Sequence, residues 1–93
     1  MARTIYQLRR QRQLLRDEIM EHLDILMGSV TTKGPKRPGF NLTRTVDGIT
    51  RTRHIRVENL ERVRLMTRRY KQLKVLLVRL ADVNWAILTL ESE

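Results

Sequence analysis

Four arginines, Arg44, Arg51, Arg53 and Arg56, fall within the stretch Phe40 to Val57, FNLTRTVDGITRTRHIRV in one-letter code. A guanidinium is always charged and presents a planar fork of donors. It therefore suits phosphate oxygens and, inside a groove, the edge of guanine. Asp47-Gly48 signals a two-residue hairpin turn, because a type I′ turn needs positive φ at both positions. That turn sets a register. Val46 faces Ile49, Thr45 faces Thr50, Arg44 faces Arg51 and Thr43 faces Thr52. Leu42 then faces Arg53, Asn41 faces His54, and Phe40 faces Ile55. One face of the hairpin holds Phe40, Leu42, Val46, Ile49 and Ile55 together with Arg44, Arg51 and Arg53. The other is threonine-rich, with Asn41, His54 and Arg56. The chemistry implied is polyanion binding by a two-stranded ribbon, an element that fits a B-DNA major groove. Lys33, Lys36 and Arg37 precede the ribbon, and Arg62, Arg64, Arg68, Arg69, Lys71 and Lys74 follow it, as candidate phosphate ligands.

No catalytic constellation accompanies them. The chain has no cysteine, which removes thiolate nucleophiles, disulfides and thiolate metal sites. His22 and His54 are isolated, and His22 reads as packing beside an apolar stripe. Asp17, Glu18, Glu21 and Asp24 read as ion-pairing surface acids. No glycine-rich phosphate loop precedes a helix. The expectation is a protein that is not an enzyme and carries no cofactor or metal. Phe40, the ribbon's single aromatic, reads as packing; base stacking of the kind single-stranded RNA readers use has little support, so DNA is expected over RNA.

The charge distribution localises the basic field. The net charge is +9, with +5 over residues 1–16, −4 over 17–32, +11 over 33–79 and −3 over 80–93. Such a field captures polyanions and speeds their association. No signal-peptide run opens the sequence. The most apolar stretch, Leu73 to Leu90, is broken by Lys74, Arg79, Asp82 and Asn84, which argues against a membrane span. The expected location is cytoplasmic.

Two helical patterns must position the ribbon. Ile5, Leu8, Leu15, Ile19, Leu23 and Leu26 recur at helical spacing, and Gly28 reads as the stop, giving a helix over about 4–27. Residues 29–39 hold two prolines and two glycines and read as a basic linker. After the hairpin at 40–57, a second helix over about 58–91 carries the seam Val63, Met66, Tyr70, Leu73, Leu77, Leu80, Asn84 and Ile87, flanked by Leu60, Leu76, Val83 and Leu90. The length predicts one domain over 1–93. The fold class expected is mainly α: a long antiparallel helical hairpin with an inserted β-hairpin and an oligomeric stem. The oligomer is inferred from Leu77, Val78, Ala81, Trp85 and Leu88, a second apolar stripe that one partner helix cannot cover. A homodimer or a larger protein partner would cover it.

The chain also resembles a bacterial family of small uncharacterised proteins that often accompany transposases or other mobile elements. The resemblance rests on Gly28-Ser29-Val30, a Gly/Pro-containing linker, Phe40-Asn41-Leu42-Thr43-Arg44, Val46-Asp47-Gly48, Thr50-Arg51-Thr52-Arg53, and a long helix with Tyr70 and Asn84-Trp85. Many relatives carry linker cysteines; this sequence has none, so a metal role there does not transfer. The resemblance implies a mobile-element or phage context and no reaction. Together these readings give a non-enzymatic nucleic-acid-binding accessory protein. The alternative is a protein-interaction module, a structural subunit or inhibitor docking on a larger nucleic-acid machine.

Overall fold

The structure, a computed structural model, describes residues 3–92. The chain divides into two compact units: Asp24–Tyr70 is one, and the residues up to Leu23 join those from Lys71 onward in the other.

The Asp24–Tyr70 unit is built on a three-stranded antiparallel sheet of order β1-β2-β3. The strands are β1 (Ser29–Thr32), β2 (Phe40–Val46) and β3 (Ile49–Ile55). β2 and β3 pair from Phe40↔Ile55 to Val46↔Ile49, the register that the Asp-Gly turn demands. Both turn residues have positive φ, 52° at Asp47 and 76° at Gly48, as a type I′ turn requires. A 3-10 turn over Val57–Asn59 leads into α2 (Leu60–Glu91), whose first turns belong to this unit. Leu42 and Ile55 are buried, and Phe40 is half-buried.

β1 lies within the expected linker. Gly34, Pro35, Pro38 and Gly39 all follow Thr32, so irregular backbone is confined to residues 33–39. There the Lys33 N–H donates to the Gly39 carbonyl at 3.2 Å and the Arg37 N–H to that of Gly34 at 3.4 Å. Ser29-Val30-Thr31-Thr32 contains no breaker and three β-branched residues, and it pairs with β2 from Ser29↔Thr43 to Thr32↔Phe40. Nor is Gly28 a helix stop. Its φ is +129°, and an added Cβ would lie 2.6 Å from the Thr43 carbonyl oxygen. Glycine is needed because the backbone entering β1 passes hard against β2.

In the other unit α1 (Ile5–Glu21) packs on the C-terminal half of α2. Thr4 opens α1 with a capping box: its hydroxyl accepts the Gln7 N–H at 3.2 Å, and the Gln7 side chain accepts the Thr4 N–H at 3.0 Å. Leu8 and Leu15 interlock with Leu76, Val83 and Ile87, supported by Ile5, Ile19 and Leu80. The two helices run in opposed directions, so Arg9 reaches Glu91 at 3.4 Å.

The helix expected over 4–27 ends at Glu21. The His22 N–H turns to the Ile19 carbonyl at 2.9 Å, while the His22 ring nitrogen sits 2.8 Å from the Glu18 carbonyl. The side chain thus takes the acceptor that its own amide would have used, and the last turn tightens. Ile25 and Leu26 continue the apolar period in sequence but serve the sheet unit, where the Leu26 N–H donates to the Met66 carbonyl at 3.2 Å.

The seam on α2 is also turned from the expected one. Leu73, Leu76, Val83 and Ile87 are buried, whereas Leu77 and Asn84 are exposed. Seating Asn84 against Leu8 and Leu15 would bury an amide without a partner, so the helix presents Val83 instead.

The architecture is therefore a mixed helix–sheet–helix arrangement, and the expectation of a mainly α, long antiparallel helical hairpin with an inserted β-hairpin is corrected. α1 has 17 residues against 32 in α2. The residues expected to lengthen α1 instead lead to and form a third strand. Among the described residues, no helix is long and apolar enough to cross a membrane.

Candidate nucleic-acid interface

Strand parity puts Arg44, Arg51 and Arg53 on one face of β2–β3, the face that also buries Leu42, the cross-strand partner of Arg53, and Ile55. The three arginines line one hollow with Leu26, Met27 and Leu42. Nearer the turn, Arg44 and Arg51 line a second hollow with Val46, Asp47 and Ile49. Arg44 also borders a groove beside Met27, Gly28, Thr43 and Tyr70. Leu42 is buried and Arg44 half-buried, while Arg51 and Arg53 are exposed.

The electrostatics of this cluster are unbalanced. Arg44 and Arg51 are direct cross-strand partners. Like charges in that position oppose strand pairing. Among the described residues no carboxylate forms an ion pair with Arg44, Arg51 or Arg53. Asp47 lines the hollow at the turn but remains outside ion-pair distance of them. Within this unit the acids that do pair are used elsewhere: Asp24 holds Arg69 at 3.6 Å and Glu61 holds Arg64 at 3.3 Å.

The other candidate residues are dispersed. Arg56 lies past the end of β3, exposed, with its carbonyl accepting the Asn59 N–H at 2.9 Å. Lys36 and Arg37 are exposed on the β1–β2 loop, and the Lys33 side chain lies along Gly39. Arg64 is engaged within the chain, its guanidinium carbon 5.3 Å from the centroid of the Phe40 ring. This contact gives Phe40 a packing role and a cation–π partner. Arg68 is exposed on α2. Lys71 and Lys74 fall in the other unit, as do Leu77, Val78, Ala81, Trp85 and Leu88, all five of which are exposed.

Leu26, Met27 and Tyr70 join the arginine-lined hollows without having been singled out as site residues. Assigning 22–27 to a helix hid the first two. The signal that would have found them is the β-branched run Val30-Thr31-Thr32 just before the breaker-rich Gly34–Gly39, itself a hairpin pattern. No protein-family model matches this chain, and no curated protein or solved structure matches it either. Function is therefore argued from this geometry.

Proposed function

We propose that this chain is a non-enzymatic nucleic-acid-binding protein that seats a phosphodiester backbone on Arg44, Arg51 and Arg53. The carrying observation is that these three guanidinium groups share one hollow and that, among the described residues, no carboxylate is paired to them. A fold stabilised for its own sake would separate or neutralise such charges. A polyanion relieves their repulsion and gains charge-assisted hydrogen bonds from each fork. Past the end of β1 the β2–β3 hairpin continues as a two-stranded ribbon that carries Arg44 and Arg51 on one face, an element of major-groove dimensions, which favours duplex DNA over RNA. Within the same unit Arg56, Lys33, Lys36, Arg37 and Arg68 supply the wider basic field. A cytoplasmic location and a mobile-element or phage setting belong to the same proposal, the setting resting on the motif resemblance alone.

The test is a salt titration of affinity for a fluorescent duplex and for a single strand of equal length. If about four to six phosphates are neutralised, log affinity falls against log salt with a slope of roughly −4 to −5 for duplex. Replacing Arg51 and Arg53 with serine removes two contacts and flattens the slope by about 2. Undiminished binding by the folded double variant would refute the assignment. Failure of the wild-type chain to bind either nucleic acid, with a protein partner in its place, would favour the interaction-module alternative.

A further inference from the structure

The β2–β3 hairpin ends in an exposed apolar pair. Val46 and Ile49 are direct cross-strand partners on either side of the Asp47-Gly48 turn, and they stand on the face that carries Arg44 and Arg51. Exposure is 48% at Val46 and 58% at Ile49. β1 pairs with β2 no further than Thr43, so this part of the hairpin is a ribbon of two strands. The hollow on its arginine face is lined by Arg44, Val46, Asp47, Ile49 and Arg51, all residues of the hairpin itself. Strand pairing does not require an apolar pair here, since on the opposite face Thr45 and Thr50 already meet through their hydroxyls at 2.8 Å.

We infer that this tip reads thymine: Val46 and Ile49 pack on thymine C5 methyl groups in the major groove of duplex DNA, while Arg44 and Arg51 hold phosphates at the groove rim. The inference rests on the nucleic-acid reading above and names the base feature that the same site recognises. The major groove is about 12 Å wide and about 8.5 Å deep. A ribbon whose two strands lie about 4.8 Å apart can enter it turn first. Arg44 and Arg51 stand two residues behind Val46 and Ile49, about 6.8 Å along the strands. With the tip pair at the base edges, the arginines are therefore close to the rim, where the phosphates are. Asp47 fixes this order. It lines the hollow at the turn and stays outside ion-pair distance of both arginines. Its carboxylate would repel a phosphate, whereas at the groove floor it meets the exocyclic amines of cytosine and adenine, which are donors. The apolar group presented on that floor is the thymine methyl. An apolar pair beside a carboxylate complements the base edges and gains nothing against the phosphate backbone.

The test can be made on the wild-type chain, by changing the DNA. Deoxyuridine pairs as thymidine does and lacks only the methyl group. A labelled mixed-sequence duplex is bound at fixed salt and competed with the same pool of sequences carrying either thymine or deoxyuridine throughout. Burying one methyl is worth about fourfold in affinity, so one or two contacts should make the deoxyuridine pool compete about 4- to 15-fold more weakly. The slope of log affinity against log salt should be the same for both pools, because the phosphate contacts are unchanged. Val46→Ser combined with Ile49→Ser alters two exposed positions. That variant should bind both pools alike and keep the wild-type salt slope. Equal competition by the two pools against the wild-type chain would overturn the inference and leave the arginine assignment standing. An undiminished preference for thymine in the folded double variant would overturn it too. A wild-type chain that binds neither pool overturns it together with the nucleic-acid reading.

Discussion

Gly28 is the sharpest test of how the sheet is assembled. Replacing it with alanine places a Cβ 2.6 Å from the Thr43 carbonyl oxygen, 3.2 Å from Arg44 Cβ and 3.2 Å from Leu42 Cδ1. The nearest of these is backbone and cannot rotate away, so β1 and β2 must separate. A φ of +129° adds strain of its own, because it lies outside the left-handed pocket that an occasional L residue tolerates. Backbone strain of about 1–3 kcal/mol and overpacking of similar size give a loss of about 2–6 kcal/mol. Gly48 is the internal control. Its φ of +76° is near the left-handed region and an added Cβ meets nothing within 4 Å, so Gly48→Ala should lose only about 1–2 kcal/mol. Urea unfolding separates the two: at a slope of about 1–2 kcal/mol per molar, Gly28→Ala shifts the midpoint by at least about 1 M. Amide exchange locates the damage, which should appear first at the β1–β2 ladder, Ser29–Thr32 against Phe40–Thr43. If Gly28→Ala proves no worse than Gly48→Ala, the close passage of the chain against β2 is wrong.

The turned seam on α2 predicts opposite outcomes for adjacent leucines. Leu76→Ala should cost about 2–4 kcal/mol and Leu77→Ala well under 1, measured by chemical denaturation. Thr4→Ala removes the hydroxyl of the α1 capping box and should cost about 1 kcal/mol, with exchange rising in the first turn. Arg64→Gln removes the cation over Phe40 and should lose about 0.5–1 kcal/mol, a deficit that disappears when Phe40 is already leucine, as a double-mutant cycle would show. If Arg51 and Arg53 reach base edges, their loss should also relax sequence preference by ~1–3 kcal/mol per bidentate contact. Removing Lys36 and Arg37, exposed on the β1–β2 loop of the same unit, should weaken binding evenly across sequences.

What could be read from the sequence follows how local its determinants are. The β2–β3 register follows from the turn chemistry of two residues and alternation on either side, so all seven pairs were legible. The grouping of Arg44, Arg51 and Arg53 on one face came with it. The end of α1 was not legible, because Leu23 and Leu26 keep the helical period while the His22 side chain and the demands of β1 stop the helix. Gly28 gave the right residue for the wrong reason: a C-cap glycine and a close-approach glycine look the same in one dimension. The seam failed by a single position, since Leu76 and Leu77 are equally apolar and only the cost of burying Asn84 separates the two rotations.

The division of the chain has a consequence for the order of assembly. In Asp24–Tyr70 each strand pairs with its neighbour along the sequence, so those contacts close short loops and can form early. The core of Leu8, Leu15, Val83 and Ile87 instead joins segments separated by all of that intervening chain. Its closure entropy falls once the sheet has condensed and shortened the effective loop. α1 is made before the segment that covers it, and its apolar face stays uncovered until the last turns of α2 are made. A chain cut between Tyr70 and Val83 would therefore keep the sheet segment with its arginines while α1 lacked its partner, leaving a basic and sticky species.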